Sequence, residues 1–263
     1  MYPSISKSYK GVYPFRLGTT SFIYPDHYVP NVKMLGPYLD EIELLLFESA
    51  PANALPAKSD IAQLLALAQS NNLAYNIHLP IDVCICDPQP EKQQRAVETI
   101  LNVVELTAPL RPTAYTLHIP YSGEHLDSWQ RRVVDSLEKI LAGGVQPELI
   151  AVETLDDNFY LLDEILEDFH LSVCLDLGHL MVRAVNIQQV FNTYSRKISI
   201  IHLHGFNKNG DHKSLDQLSE QCVQSVSRIL RRFRETVSLE VFSYKDLMAS
   251  LDIVDRIVPG NKK

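Results

Sequence analysis

The segment IIHLHGFNKNGDHKSL, residues 200–215, gathers His202, His204, Asp211 and His212 into one short stretch. Imidazole nitrogens and carboxylate oxygens act as general bases and as ligands for zinc, manganese and iron. Histidines two apart share one face of a strand. Adjacent residues such as Asp211 and His212 diverge unless the chain turns sharply, which Gly210 allows. Similar residues recur elsewhere: YNIHLP holds His78, YTLHIP His118, IAVET Glu153, VCLDLGH Asp176 and His179, and VSLEVF Glu240.

Each of these residues stands near the C-terminal end of a short apolar run. The pattern predicts strands at Arg16–Ser21, Glu41–Phe47, Ala74–Leu79, Ala114–Ile119, Leu149–Thr154, Ser172–Leu177, Ile198–His204 and Thr236–Phe242. Helical periodicity fills the intervals. It begins after Pro30 and continues in SDIAQLLALAQSNN, which opens on a Ser/Asp cap, then in EKQQRAVETILNVVELTA and DSLEKILAGG. SLDQLSEQCVQSVSRILRRFRE reads as the longest helix, starting at Ser214, and Tyr244–Val258 as the last. Alternating strands and helices imply parallel strands joined by right-handed crossovers. Eight such units in one chain fit a single-domain (β/α)8 TIM barrel over residues 16–258. Residues 1–15 read as an N-terminal extension and 259–263 as a polar tail. No glycine-rich turn follows an early strand, which argues against an open nucleotide-binding sheet.

Period-two alternation turns His78, His118, Glu153, Asp176, Glu240, His202 and His204 into the barrel. Active sites of this fold lie at the C-terminal ends of the strands. Three carboxylates, Glu153, Asp176 and Glu240, aimed into one cavity repel unless positive charge joins them. Arg183 and Lys208 are the main cations on nearby loops, so divalent metal ions are the expected partners. Tyr24, Glu48, Phe206 and Lys208, on mouth-side loops, are candidates for substrate contact.

Bulk properties narrow the classes further. A net charge of −8 and a pI near 5.6 argue against a nucleic-acid binder, which presents a basic face. The basic run RILRRFR reads as the outer face of a helix. Cys84, Cys86, Cys174 and Cys222 form no CxxC pair, and the opening MYPSISKSYKGVYPF lacks an export signal. No run approaches the roughly 20 apolar residues of a membrane span. The expectation is a cytoplasmic enzyme with a small-molecule substrate and neither nucleic acid nor membrane as partner.

The series His78, His118, Glu153, Asp176, His179, His202/His204, Asp211/His212, Glu240 resembles the xylose-isomerase-like TIM barrel superfamily, which includes sugar isomerases, epimerases and endonuclease IV enzymes. The resemblance implies either one metal held by Glu153, Asp176, a strand-seven histidine and Glu240, or two or three ions (Zn, Mn or Fe) that also use His78, His118, His179, Asp211 and His212. The second, phosphodiester-cleaving set matches more of this chain. That branch separates its last Asp and His by one residue, whereas here they adjoin. The opening RLGTTSFIYPDHYVPNVKMLGPYLDEIELLLFES, with HLHG and GDHKSL, resembles bacterial cobamide-remodelling phosphodiesterases. It implies hydrolysis of the nucleotide-loop phosphoester to an α-riboside and cobinamide phosphate, with Glu153, Glu240 and Asp176 at the reaction centre. The alternative is a metal-dependent sugar isomerase or epimerase, with Glu153 and Glu240 exchanging a proton.

Overall fold

Eight parallel runs pair edge to edge until the last meets the first. The computed structural model describes residues 2–49 and 54–260. Strands β1 (Arg16–Thr20), β2 (Glu41–Leu45), β3 (Ala74–His78), β4 (Tyr115–Leu117), β5 (Ile150–Glu153), β6 (Ser172–Asp176) and β7 (Ile198–Leu203) follow one another around the ring. A short antiparallel hairpin, β8 (Gly205–Asn207) and β9 (Gly210–Lys213), interrupts the series. Strand β10 (Thr236–Leu239) then pairs with both β7 and β1 and closes the barrel.

Helices α1 (Tyr28–Leu35), α2 (Lys58–Asn71), α3 (Pro90–Thr107), α4 (Leu126–Ala142), α5 (Asp163–Asp168), α6 (Leu177–Val182), α7 (Ile187–Tyr194), α8 (Glu220–Leu230) and α9 (Tyr244–Ile257) complete the described elements. Their apolar faces bury Leu64, Val103, Trp129, Leu137, Val226 and Leu251. Three boundaries differ from the expectation. Helix α2 begins before Ser59 and Asp60, and the Asp60 carboxylate reaches back to accept from Ala57 N–H at 2.9 Å. Helix α4 starts at Leu126 because buried Trp129 and Val133 extend its stripe. Helix α8 keeps only 11 residues, since Ser219, not Ser214, caps it, and α3, with 18, is longer.

The barrel interior is layered. Near its base Glu41 accepts from Asn76 (2.8 Å), Thr113 (2.7 Å) and Thr236 (3.0 Å), and Arg16 Nε lies at 3.3 Å. Ala114, Ala151, Cys174 and Ile200 form a small apolar layer. The polar cluster described below occupies the upper part, toward the strand C-termini.

Residues 2–15 form no regular element, yet Ile5, Tyr9, Tyr13 and Phe15 are buried. Tyr13 donates to Asp255 at 2.6 Å. Tyr24 belongs to this seam: it is buried, its hydroxyl donates to Pro3 O at 2.7 Å, and its ring stacks with Tyr2 and Tyr244. It therefore anchors the N-terminal segment and is not a mouth-facing substrate contact. Of the expected polar tail, residues 261–263 lie outside the described residues. The four cysteines are free thiols, and no described helix is long and apolar enough to cross a membrane.

Gly18 lets β1 and β2 approach, for a Cβ there would stand 2.8 Å from Glu41 O. Gly18→Ala therefore forces backbone apart at the barrel seam. Overpacking of this kind costs about 1–3 kcal/mol; denaturant unfolding of the variant should show such a loss, and an unchanged midpoint would contradict the packing.

Candidate metal centre

The ends of β3, β4 and β5 build the first group. His78 Nδ1 lies 2.9 Å from Leu79 O, and donation to that carbonyl turns the Nε2 lone pair inward. That nitrogen faces Glu153 Oε2 at 3.3 Å, and His118 Nε2 meets the same oxygen at 2.8 Å. Two acceptors at 3.3 Å need a proton or a cation between them. Edge contact from Phe47, 4.6 Å between centroids, walls the His78 ring.

Central to the cavity is His202, wholly buried on β7. Its Nδ1 lies 3.7 Å from Glu153 Oε1 and 3.6 Å from Glu240 Oε2. On the opposite edge, Nε2 stands 2.9 Å from Glu43 Oε1, although the angle does not make a hydrogen bond. Glu43 escaped the sequence reading, which looked for polar residues at the ends of strands. The usable signal was alternation within EIELL, where Glu41 and Glu43 share a face; across the barrel they meet Thr236 and, by a 2.6 Å hydrogen bond, Ser238.

Beyond Asp176 lies a third group. Asp176 ends β6, caps α6 by accepting from His179 N at 2.7 Å, and is held from behind as its own N–H donates to Thr154 Oγ1 at 2.9 Å. His204 Nε2 lies 3.4 Å from Asp176 Oδ1, and His179 Nε2 3.6 Å from Oδ2. The two strand-seven histidines therefore enter different groups. The β8–β9 register shifts at its irregularity, and His212 takes φ +51, so adjacent Asp211 and His212 both reach this region. Asp211 Oδ2 is 3.7 Å from His179 Nδ1; His212 Nδ1 is 3.2 Å from Glu240 O and 3.6 Å from Glu240 Oε2.

The remaining candidates sit farther out. Glu48 is exposed beside Phe22, Tyr28, Phe47 and Phe242, around a cavity of about 530 Å³. Phe206 is half-buried against the core, and Lys208 is exposed at the hairpin tip. Arg183 pairs with Asp157 at 3.8 Å.

Among the described residues, the ion-pair partners of Glu43, Glu153, Asp176 and Glu240 are histidines. Burial drives every one of these carboxyls upward, and the imidazoles answer unevenly. For Glu153 the rings of His118 and His202 prevail and hold it well below the usual carboxylate range. Glu240 goes the other way: burial, and repulsion from Glu43, Glu153 and Asp176, outweigh His202 and push it well above that range. His204, against the pull of burial, is held up to about 9 by Asp176. Carboxyls driven apart in this way are a feature of functional sites.

The donor set fits divalent cations. Asp176 Oδ2, His202 Nδ1, His204 Nε2 and Glu240 Oε2 are buried and have no hydrogen-bond partner among the described residues. Groups able to hold an ion include His78, His118 and Glu153; Glu153, Cys174 and His202; Glu43, His202 and Glu240; and His179, His204 and His212. Glu153 belongs to more than one of them. A carboxylate shared between groups is the geometry that multinuclear sites use.

Comparison with known proteins agrees with this architecture. A curated relative named "Probable endonuclease 4", from Mycoplasma genitalium, is 23% identical over 217 residues, covering 72% of this chain and 73% of its own. A solved D-tagatose 3-epimerase-like protein superposes with a TM-score of 0.75 at 17% identity, covering 92% of this chain and 96% of its own. D-psicose 3-epimerase from Clostridium cellulolyticum H10 gives 0.69 at 13% identity, covering 92% and 98%. Residues 31–257 match the profile described as "Xylose isomerase-like TIM barrel", and the chain belongs to that family.

Proposed function

We propose that the protein is a metal-dependent phosphodiesterase that cleaves the nucleotide-loop phosphoester of a cobamide to an α-riboside and cobinamide phosphate. The observation that carries the reading is the surplus of imidazoles. One metal would be served by Glu153, Asp176, His202 and Glu240. His78 and His118 flank Glu153 besides, and His179, His204 and His212 gather beyond Asp176. When bound, two or three divalent ions such as Zn, Mn or Fe supply Lewis acidity toward phosphate oxygens and a water ionised near neutral pH.

This chain's residues do the rest. Glu153 and Glu240 face the same His202 nitrogen and orient the entering water. The water oxygen bonds to phosphorus as the ester P–O bond breaks; the water gives up one proton and the leaving riboside oxygen takes up one. The buried walls at His78 and His202 exclude bulk water from that point. The likeness of residues 16–49, HLHG and GDHKSL to cobamide-remodelling enzymes supports the substrate. The acidic net charge favours a compact phosphodiester over a DNA duplex.

One feature favours a second reading, a sugar epimerase. Glu153 and Glu240 flank one point, as a pair exchanging a proton beside a carbonyl would. Metal-loaded protein incubated with coenzyme B12 should release an α-riboside detectable by mass spectrometry. Intact B12 together with cleaved abasic DNA would replace the substrate with a nucleic acid. Epimerised ketose at one metal per chain would establish the second reading.

Adding zinc to chelator-stripped protein should raise its unfolding temperature, by about 2.7 kcal/mol of stability per site at a hundred times Kd. Glu153→Ala and His118→Ala should shrink that gain and abolish hydrolysis. A full zinc shift in Glu153→Ala would remove Glu153 from the ligand set.

A further inference from the structure

We infer that His204 is a metal ligand completing an all-imidazole centre with His179 and His212, and that Asp211 is not a ligand but positions His179 from its far side. The inference rests on the metal-dependent reading, not on the identity of the substrate. It departs from the family resemblance, in which an Asp/His pair after strand seven supplies the ligands and no second strand-seven histidine takes part.

Three ring nitrogens, one each from His179, His204 and His212, lie within 4.8 Å of one another. Ring centroids are 4.2 Å apart for His204 and His212, 5.0 Å for His179 and His204, and 5.3 Å for His179 and His212. The His204 ring occupies space made for it. A Cβ on Gly178 would stand 2.3 Å from its Cε1 and Nε2, so only glycine at this turn of α6 admits the ring.

Its chemistry points the same way. Nε2 is buried, has no hydrogen-bond partner among the described residues and faces Asp176 Oδ1 at 3.4 Å. Nδ1 meets two backbone groups, Gly205 O at 3.0 Å and His212 N at 3.1 Å. The two compete: Gly205 O takes a proton from Nδ1, whereas the His212 N–H needs a lone pair there. A cation at Nε2 selects the first tautomer, with Nδ1 donating to Gly205 O and the Nε2 lone pair free. The positive φ of His212 folds its ring back over His204, a backbone state that costs free energy in a non-glycine residue and recurs at functional sites.

Asp211 holds a different position. Its Oδ2 approaches Nδ1 of His179, whereas His179 Nε2 is the nitrogen turned toward Asp176. A carboxylate behind a ligating imidazole fixes its tautomer and orientation. Three imidazole ligands beside one carboxylate suit zinc or cobalt better than magnesium or calcium, which take oxygen.

Metal content after zinc loading and gel filtration, measured by mass spectrometry of the eluted protein, tests the assignment. His204→Ala and His212→Ala should each lose one equivalent relative to the wild type. Gly178→Ala removes no ligand, and it should lose the same equivalent by displacing the His204 ring. Asp211→Asn should keep that equivalent with affinity weakened about 10- to 100-fold. Circular dichroism and unfolding of the metal-free variants show whether each is folded, and the Gly178 and His204 variants check one another. Wild-type stoichiometry in both His204→Ala and Gly178→Ala overturns the proposal. So does a single equivalent in the wild type, or a loss in Asp211→Asn that His204→Ala does not show. Loss of the equivalent alongside intact coenzyme B12 upholds this centre and refutes only the substrate.

Discussion

Everything at the mouth of this barrel follows from a deficit of positive charge. Glu43, Glu153, Asp176 and Glu240 are nearly or fully buried, and imidazoles are their ion-pair partners. Burying a carboxylate without compensation costs several kcal/mol. The base of the same barrel shows how the chain satisfies a carboxylate it keeps for structure: Glu41 has three hydrogen-bond donors and an arginine. Among the described residues nothing comparable surrounds Glu240, and burial pushes its carboxyl up. The upper layer gives its carboxylates few donors besides imidazole, Ser238 and the His179 N–H, and cations are the natural occupants of the gaps.

The backbone arranges those gaps. Carbonyls of Leu79, Gly205 and Glu240 lie within 3.2 Å of Nδ1 on His78, His204 and His212 respectively. Each carbonyl can claim the ring proton on Nδ1, so the Nε2 lone pairs are turned away from it. Thr154 and the start of α6 hold Asp176 in the same manner. A site built from strand ends and helix starts is more rigid than one hung on loops. Only the hairpin departs from this, and its irregularity is what brings adjacent Asp211 and His212 to one side.

Much of this was legible in the chain itself, because a barrel strand is a period-two object. Alternation turned His78, His118, Glu153, Asp176 and Glu240 inward, and the structure brings them together. The same rule applied to EIELL would have found Glu43, but an unbroken buried strand with acids in its middle does not look like a strand end. Tyr24 was misplaced because sequence does not reveal that an irregular segment packs over it through Pro3 O. The hairpin was invisible for a similar reason. Its strands are short and polar, and they are ordered by contacts with the barrel, not by local propensity.

His202 and His204 illustrate what spacing alone leaves open. Two residues apart on a strand, they share a face but stand about 6–7 Å apart along it. In a layered barrel that distance is one storey. His202 sits among Glu43, Glu153 and Glu240, at the level where strands β2, β5 and β10 point across the axis. His204 stands past the end of β7, over Gly178 and beside the hairpin. Neither ring can take the other's place without crossing a layer of packed side chains. The question of which histidine serves the site therefore has no single answer: the strand delivers one imidazole to each of two levels, with Glu240 beside His202 on one and His212 on the other.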